Sequence, residues 1–183
     1  MSDYSMAPEI RVSAWLNTEQ PLSLRGLQGR VVLLHAFQML CPGCVSHGVP
    51  QAERAHRLYA GDGLAVVGIH TVFEHHEAMT QVALAAFLHE YRVTHPVAVD
   101  VPGSNGPIPE TMSTYRLQGT PSLMLIDRVG RLRLQEFGPV DDLQLGVLLG
   151  KLLAEQVPNT SALAHGEASE DAADGCRVDG CSL

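Results

Sequence analysis

The chain has 183 residues, 45% of them hydrophobic, which is enough apolar material for one substantial core and indicates a single globular domain. Its formal net charge of −8 argues against a nucleic-acid partner, because phosphate binding needs a basic face and none is apparent. No apolar run reaches the length of about 18 residues that a membrane span needs, and the N-terminus lacks the basic start and apolar core of a secretory signal. We therefore expect a cytoplasmic protein with no membrane partner.

Strands and helices alternate in the first part of the sequence. Residues 31–38 and 64–69 are apolar, β-branched runs of strand length, and residues 45–59 between them follow a helical pattern. This order predicts a right-handed parallel crossover. A helix, a short strand and a short helix are then predicted over residues 78–91, 97–99 and 112–117.

The second part of the predicted domain is a hairpin followed by a helix. Residues 121–127 and 131–137 are strands joined by a tight connection, which predicts an antiparallel pair. Asp141 and Asp142 open a helix that extends to about residue 156, with acids at its positive end. The whole order predicts an α/β fold with a central mixed β-sheet flanked by helices on both faces.

The composition changes after residue 157. Residues 158–183 are rich in alanine, glycine, serine and acids and show no apolar periodicity, which predicts a flexible acidic tail behind a domain of residues 1–157. The tail carries a second cysteine pair, Cys176 and Cys181.

The most informative motif is Cys41-Pro42-Gly43-Cys44, between the first predicted strand and the first predicted helix. Two cysteines three positions apart at a helix start can close on each other. Unpaired backbone N–H groups and the positive end of the helix stabilise a thiolate at Cys41, and Pro42 costs nothing at the first helical position. The motif therefore favours a reactive dithiol.

Metal sites also use CxxC motifs. A zinc site needs two more ligands, and the nearest histidines, His47 and His56, are expected on the same helix as solvated or partly packed side chains. We predict no resident metal and no cofactor. A non-enzymatic alternative stays open, in which Cys41, Cys44 and a histidine carry a soft ion such as copper(I).

Several segments together resemble the thioredoxin superfamily, and within it the redoxin or TlpA-like thiol-disulfide oxidoreductases. Residues 22–37 resemble that family's entry to the active site, and Gly119-Thr120-Pro121 resembles its cis-proline loop, 75 residues after Cys44. Residues 69–71 and 94–97 are similar to the thioredoxin-like domain of NHL-repeat proteins. The resemblance implies a thioredoxin-like fold.

The same resemblance implies roles for the residues of these motifs. Pro121 is expected in the cis form beside the two cysteine sulfurs, so that the backbone of Thr120 pairs with an extended substrate. Pro42 and Gly43 are expected in the same substrate-binding surface.

The implied reaction is dithiol-disulfide exchange, in which Cys41 attacks a substrate disulfide and Cys44 resolves the mixed disulfide. Its partners are a disulfide-containing protein or a small-molecule thiol, and an electron-donating reductase. A peroxiredoxin-like peroxide reductase is an alternative, but Gln38 stands where that chemistry usually has a threonine, three residues before the reactive cysteine.

Three positions depart from the family pattern. Leu40 replaces the aromatic residue that often precedes the first cysteine. His35 falls where thioredoxins carry a buried acid: it is a candidate for proton transfer, or it faces the other side of the strand or is buried neutral with a partner. Pro50 comes six residues after the second cysteine, and with Gly48 nearby this predicts a local bulge or kink.

Two further hypotheses concern the C-terminal part. A flexible segment from Val157 to Cys176 has a reach of about 25 Å, so the Cys176 and Cys181 pair is a candidate relay to the active-site disulfide. A metal clamp with His165 and a tail without a defined task are the alternatives. Residues 143–153 are apolar almost all round, which predicts either a well-buried helix or a homodimer face.

Overall fold

A computed structural model describes residues 4–104 and 106–156. Within them, one sheet of six strands has the order β1-β4-β3-β2-β5-β6, and helices cover both of its faces. The predicted mixed sheet is therefore confirmed. The strands are β1 (Val12–Leu16), β2 (Val31–Phe37), β3 (Leu64–His70), β4 (Val97–Asp100), β5 (Ser122–Ile126) and β6 (Leu132–Phe137). The α-helices are α1 (Val49–Tyr59), α2 (Gln81–Glu90), α3 (Glu110–Thr114) and α4 (Asp142–Ala154).

The centre of the sheet is the β2-β3 pair. These strands are parallel and fully buried, as their continuous apolar sequences require, and α1 connects them in the predicted crossover. Strand β5 pairs antiparallel with β2 on the other side, and β6 completes the predicted hairpin.

Strand β1 was not predicted from the sequence. It pairs antiparallel with β4 at the edge of the sheet, with an irregular register between Val12 and Ala14. An edge strand of only five residues with mostly intermediate burial lacks the apolar run or clean alternation that marks a strand. The predicted short helix at 112–117 is also corrected, because α3 begins at Glu110, where the carboxylate of Asp100 accepts the N–H groups of Thr111 and Met112.

Alternating side chains of β2 separate two cores. Val31 and Leu33 pack with α1 and α4, whereas Val32 and Leu34 pack with the N-terminal segment and with Tyr115 after α3. A third cluster surrounds Phe37, on the same face as Val31 and Leu33, and includes buried residues of α2 and the residue Cys44. The face that carries α1 therefore also carries the second cysteine of the motif.

Helix α4 is buried on one side only. Leu145 and Leu149 belong to the core, whereas Leu143 and Val147 are 81% and 56% exposed. The homodimer at this helix stays a prediction. Among the described residues, no helix combines the length and the apolar character that crossing a membrane would require.

Candidate active site

The two cysteines of the motif lie in contact at the end of β2. Their sulfur atoms are 2.6 Å apart, and the backbone N–H of Cys44 donates to the sulfur of Cys41 at 3.2 Å. Cys41 is partly exposed, whereas Cys44 is fully buried. Both are free thiols, and a disulfide, whose S–S bond is about 2.05 Å long, can close here with little movement. Solvent therefore reaches the first cysteine and not the second.

The turn after the cysteines is helical but irregular. Residues Cys44–Gly48 form a π-helical segment that leads directly into α1, so the bulge predicted near Pro50 is confirmed. Pro42 and Gly43 come before this segment, and the hydroxyl of Ser46 donates to the carbonyl of Pro42 at 2.7 Å.

The Thr120-Pro121 loop lies against this turn. The Thr120–Pro121 peptide bond is cis, as the family resemblance implied, and the Cys41 thiol donates to the carbonyl of Thr120 at 3.4 Å. Two glycines of the turn make this approach possible. A Cβ atom at Gly43 would lie 3.3 Å from Pro121 Cδ, and one at Gly48 would lie 3.1 Å from Pro121 Cβ. The loop would have to move if either glycine carried a side chain.

Exposed apolar side chains stand next to Cys41 and next to the Thr120-Pro121 loop in the sequence or in space. Leu40 directly precedes Cys41 and is 57% exposed. Phe137, 53% exposed, lies over Gly119, where a Cβ atom would come within 2.9 Å of its ring. Thr120 and Pro121 are themselves only partly buried. The surface around Cys41 therefore offers apolar contacts and backbone groups to an approaching chain.

Burial makes the second sulfur a poor nucleophile by itself. Burial, together with the hydrogen bond to Cys41, raises the pKa of the Cys44 thiol from 9.0 to about 12. Almost all of the Cys44 thiol is then protonated at neutral pH, so a reaction that uses this sulfur needs a group that takes its proton.

His35 lies on the same face of the sheet as Cys44, so the alternative that it faces the other side is wrong. It is buried and has a partner, because its Nε2 is 2.8 Å from Nε2 of His95. Its ring stacks on Phe37 with centroids 5.3 Å apart, and Phe37 and Cys44 belong to one buried cluster. Burial, reinforced by the neighbouring His95, holds the pKa of His35 well below 6.5, so the ring is neutral at physiological pH.

A third residue extends this contact. Nδ1 of His95 is 2.8 Å from Oε2 of Glu53, which lies on α1 and is only 7% exposed. Burial of the Glu53 carboxyl would raise its pKa, but hydrogen bonds from His95, Thr94 and Arg57 outweigh burial and hold the pKa far below 4.5. Neither Glu53 nor the role of His95 was predicted from the sequence. A glutamate on the buried side of α1 was the available signal, since charged residues are seldom buried without partners.

The other sequence-predicted sites have simpler surroundings. His47 and His56 are partly packed, as expected, and Nε2 of His47 is 3.0 Å from the carbonyl of Val140. No group of three or more metal-binding side chains clusters among residues 4–104 and 106–156. Cys176, Cys181 and His165 lie outside the described residues.

Two solved structures match most of the chain. A crystal structure of a thioredoxin-like superfamily protein is 52% identical, has a TM-score of 0.81, and the match covers 84% of this chain and 99% of that one. A thiol-disulfide isomerase from Corynebacterium glutamicum is 49% identical, with a TM-score of 0.80 and coverage of 85% and 100%. No family model matches the chain.

Longer proteins match it over part of their length. Protein DipZ of Mycobacterium bovis is 30% identical over 156 residues, which are 83% of this chain and 21% of DipZ. NHL repeat-containing protein 2 of Bos taurus is 37% identical over 92 residues, 49% of this chain and 12% of that protein. The chain thus spans about a fifth or less of the length of these curated relatives.

Proposed function

Because the chain belongs to the thioredoxin-like superfamily, we propose that it is a thiol-disulfide oxidoreductase that works through the Cys41 and Cys44 dithiol. The observation that carries the proposal is the pair of sulfurs, 2.6 Å apart, with one of them partly exposed beside the cis Thr120–Pro121 bond. Proteins with accessible disulfides, or small disulfides, are the proposed substrates, and a separate thiol reductase returns the electrons.

The proposed reaction has two exchange steps. The Cys41 thiolate attacks a substrate disulfide, so that a Cys41–substrate bond forms and one substrate sulfur leaves as a thiolate. Cys44 then attacks the Cys41 sulfur, which forms the Cys41–Cys44 disulfide and releases the second substrate sulfur. The substrate gains two electrons and the dithiol loses them.

The buried position of Cys44 defines the difficult step. Its thiol must lose a proton before it attacks, and we propose that His35 accepts this proton. His35 is neutral and buried on the same face of the sheet, and its ring stacks on Phe37, which shares a buried cluster with Cys44. Catalytic hydrogen bonds often tighten only when the reacting complex forms, and here that complex is the mixed disulfide.

Reduction of insulin disulfides, followed by turbidity with a dithiol as electron donor, tests the proposed function. Cys41→Ser removes the nucleophile, so we expect turnover to fall by more than about 10³-fold. Cys44→Ser is the matched control, because it should keep the first step and accumulate a covalent Cys41–substrate disulfide that intact-mass analysis detects. Full activity of Cys41→Ser would contradict the assignment of the nucleophile.

The tail relay is a separate part of the proposal. If Cys176 and Cys181 exchange with the Cys41–Cys44 disulfide, truncation after Val157 should slow steady-state turnover while the isolated first exchange step stays at its full rate. Unchanged turnover of the truncated protein would remove the relay and leave the proposed function in place.

A further inference from the structure

The contacts around Glu53 determine where its hydrogen-bonding partners carry protons. Oε1 accepts hydrogen bonds from the Thr94 hydroxyl at 2.6 Å and from Arg57 Nε at 2.9 Å. Oε2 accepts from the backbone N–H of Thr94 at 2.9 Å and faces Nδ1 of His95 at 2.8 Å. An ionised carboxylate has no proton to give, so Nδ1 of His95 must be the donor.

This assignment fixes the next contact. For a neutral His95 ring, the proton on Nδ1 leaves Nε2 bare, because a neutral imidazole has one N–H and one lone pair. The atom opposite it is Nε2 of His35, which must then carry an N–H and donate. The remaining ring nitrogen of His35, Nδ1, is left with a lone pair, and it is buried without any hydrogen-bond partner in the described structure.

We propose that Glu53 and His95 are positioning residues that hold His35 in the Nε2–H tautomer and so leave its Nδ1 as the proton acceptor of the active site. The proposal rests on the thiol-disulfide exchange proposed above and adds the residues that prepare its base. A buried basic nitrogen without a partner has a cost in stability, which is understandable where the atom serves the reaction.

The proton movements of the proposed relay balance. The Cys44 thiol gives its proton to Nδ1 of His35 as the sulfur attacks Cys41. His35 passes its Nε2 proton to Nε2 of His95, which becomes an imidazolium beside the Glu53 carboxylate. The positive charge thus ends next to a negative one, and His35 is neutral again with its proton on Nδ1.

Only one extra proton fits in this arrangement. Two charged rings would place two N–H groups against each other across the 2.8 Å contact between His35 and His95. Acidic and basic groups near the two rings also affect the pH at which the rings take up a proton. The ionisable groups next to the two rings are Glu53 and His56. Arg57 binds Glu53, and Arg30 lies near His56. His70 and Cys44 pack with Phe37.

Nitrogen NMR of the full-length reduced protein tests the tautomers directly. With ¹⁵N-labelled histidine at neutral pH, we expect the pattern of an unprotonated Nδ1 for His35 and of a protonated Nδ1 for His95. Glu53→Gln should weaken this preference, because the amide that replaces the carboxylate can donate as well as accept. An Nδ1–H tautomer or an imidazolium at His35 in the wild type would overturn the proposal.

The resolving step supplies the functional test. A mixed disulfide of Cys41 with a chromogenic aromatic thiol releases that thiol when Cys44 attacks, and the release is followed over a range of pH. Glu53→Gln should slow the release about 10- to 100-fold and move its pH midpoint, by analogy with the loss of a carboxylate that orients a histidine in metal sites. Glu155→Gln, which neutralises a carboxylate bound to Arg133 away from the relay, is the matched control and should change neither.

The outcomes separate this proposal from the proposed function. Normal insulin reduction with identical pH profiles for wild type and Glu53→Gln would remove the positioning role only. Release that depends on Glu53, in a protein that reduces no added disulfide, would leave the relay and contradict the proposed function.

Discussion

Two buried carboxylates, Asp100 in the sheet and Glu53 on α1, have pKa values shifted in opposite directions. Asp100 ends β4 and is 4% exposed; it accepts the Thr71 hydroxyl at 2.9 Å and the N–H groups of Thr111 and Met112 at 2.8 and 3.1 Å. Burial raises the pKa of Asp100 in spite of these bonds, whereas bonds from His95, Thr94 and the Arg57 cation lower the pKa of Glu53. The difference is the kind of donor, neutral in one cluster and partly cationic in the other.

The two clusters also differ in where they end. The side chain of Asp100 accepts hydrogen bonds from two backbone N–H groups and one hydroxyl. These bonds join the first turn of α3 to the end of β4 and leave no histidine nitrogen without a partner. The Glu53 cluster instead ends at Nδ1 of His35, which has no hydrogen-bond partner among residues 4–104 and 106–156. We therefore expect the Asp100 cluster to contribute stability and the Glu53 cluster to keep Nδ1 of His35 available for the reaction.

The largest expected effects come from replacing His35 at the end of the Glu53 cluster and Asp100 at the centre of the other cluster. His35→Leu should lower the rate of the resolving step by about 10²- to 10⁴-fold, because a positioned base contributes on that order. Its free energy of unfolding should change by less than about 2 kcal/mol, since the lost bond to His95 is offset by removal of an unpartnered buried nitrogen. Stopped-flow release of the chromogenic thiol and urea unfolding measure the two quantities.

Asp100→Asn should give the opposite result. Its amide would face backbone N–H groups that need an acceptor, so we expect a loss of about 1–3 kcal/mol in the free energy of unfolding and an unchanged resolving rate. An activity loss in Asp100→Asn as large as that of His35→Leu would show that both clusters support the site in the same way.

Acid should destabilise the protein through its buried histidines. Burial lowers the pKa of His70 from 6.5 to about 4, and that of His35 also lies well below 6.5. Both rings bind protons more tightly in the unfolded chain, so stability present above about pH 6.5 is lost as the pH falls toward the folded pKa. For His70 the loss reaches roughly 3 kcal/mol near pH 4, at about 1.4 kcal/mol per pH unit. Asp100, with its raised pKa, acts in the opposite direction.

Urea unfolding between about pH 7 and pH 5 measures this loss. In His70→Leu the buried ring is absent, so the decline should be smaller by about 2 kcal/mol at about pH 5. Equal slopes in the wild type and the variant would show that His70 does not contribute to the acid sensitivity.

The two clusters also show what sequence patterns reveal. The CxxC motif, the Gly-Thr-Pro segment and the central strands were predicted because each is a local pattern with a local physical cause. The contact from Glu53 to His95 joins residues 42 positions apart, and that from His95 to His35 joins residues 60 apart. No repeating sequence pattern marks either contact. The three side chains meet only because α1 packs on β2 and near the start of β4.

The smallest expected effects come from a matched pair of threonines. Thr71→Val and Thr94→Val each remove one hydroxyl that donates to a buried carboxylate, at 2.9 and 2.6 Å respectively. Each should cost about 1–2 kcal/mol of unfolding free energy, because a hydrogen bond to a charged group is lost while the shape of the side chain is kept.

The two variants should nevertheless differ in the resolving step. Glu53 keeps three donors in Thr94→Val, including His95, so the release rate should fall only about two- to threefold, with a small shift of its pH midpoint. Thr71→Val should leave the release rate and its pH midpoint unchanged, because the described hydrogen bonds of Asp100 do not lead to His35. If Thr71→Val moved the pH midpoint as far as Thr94→Val, the shift would reflect a general loosening of the sheet, and proton positioning would no longer be needed to explain it.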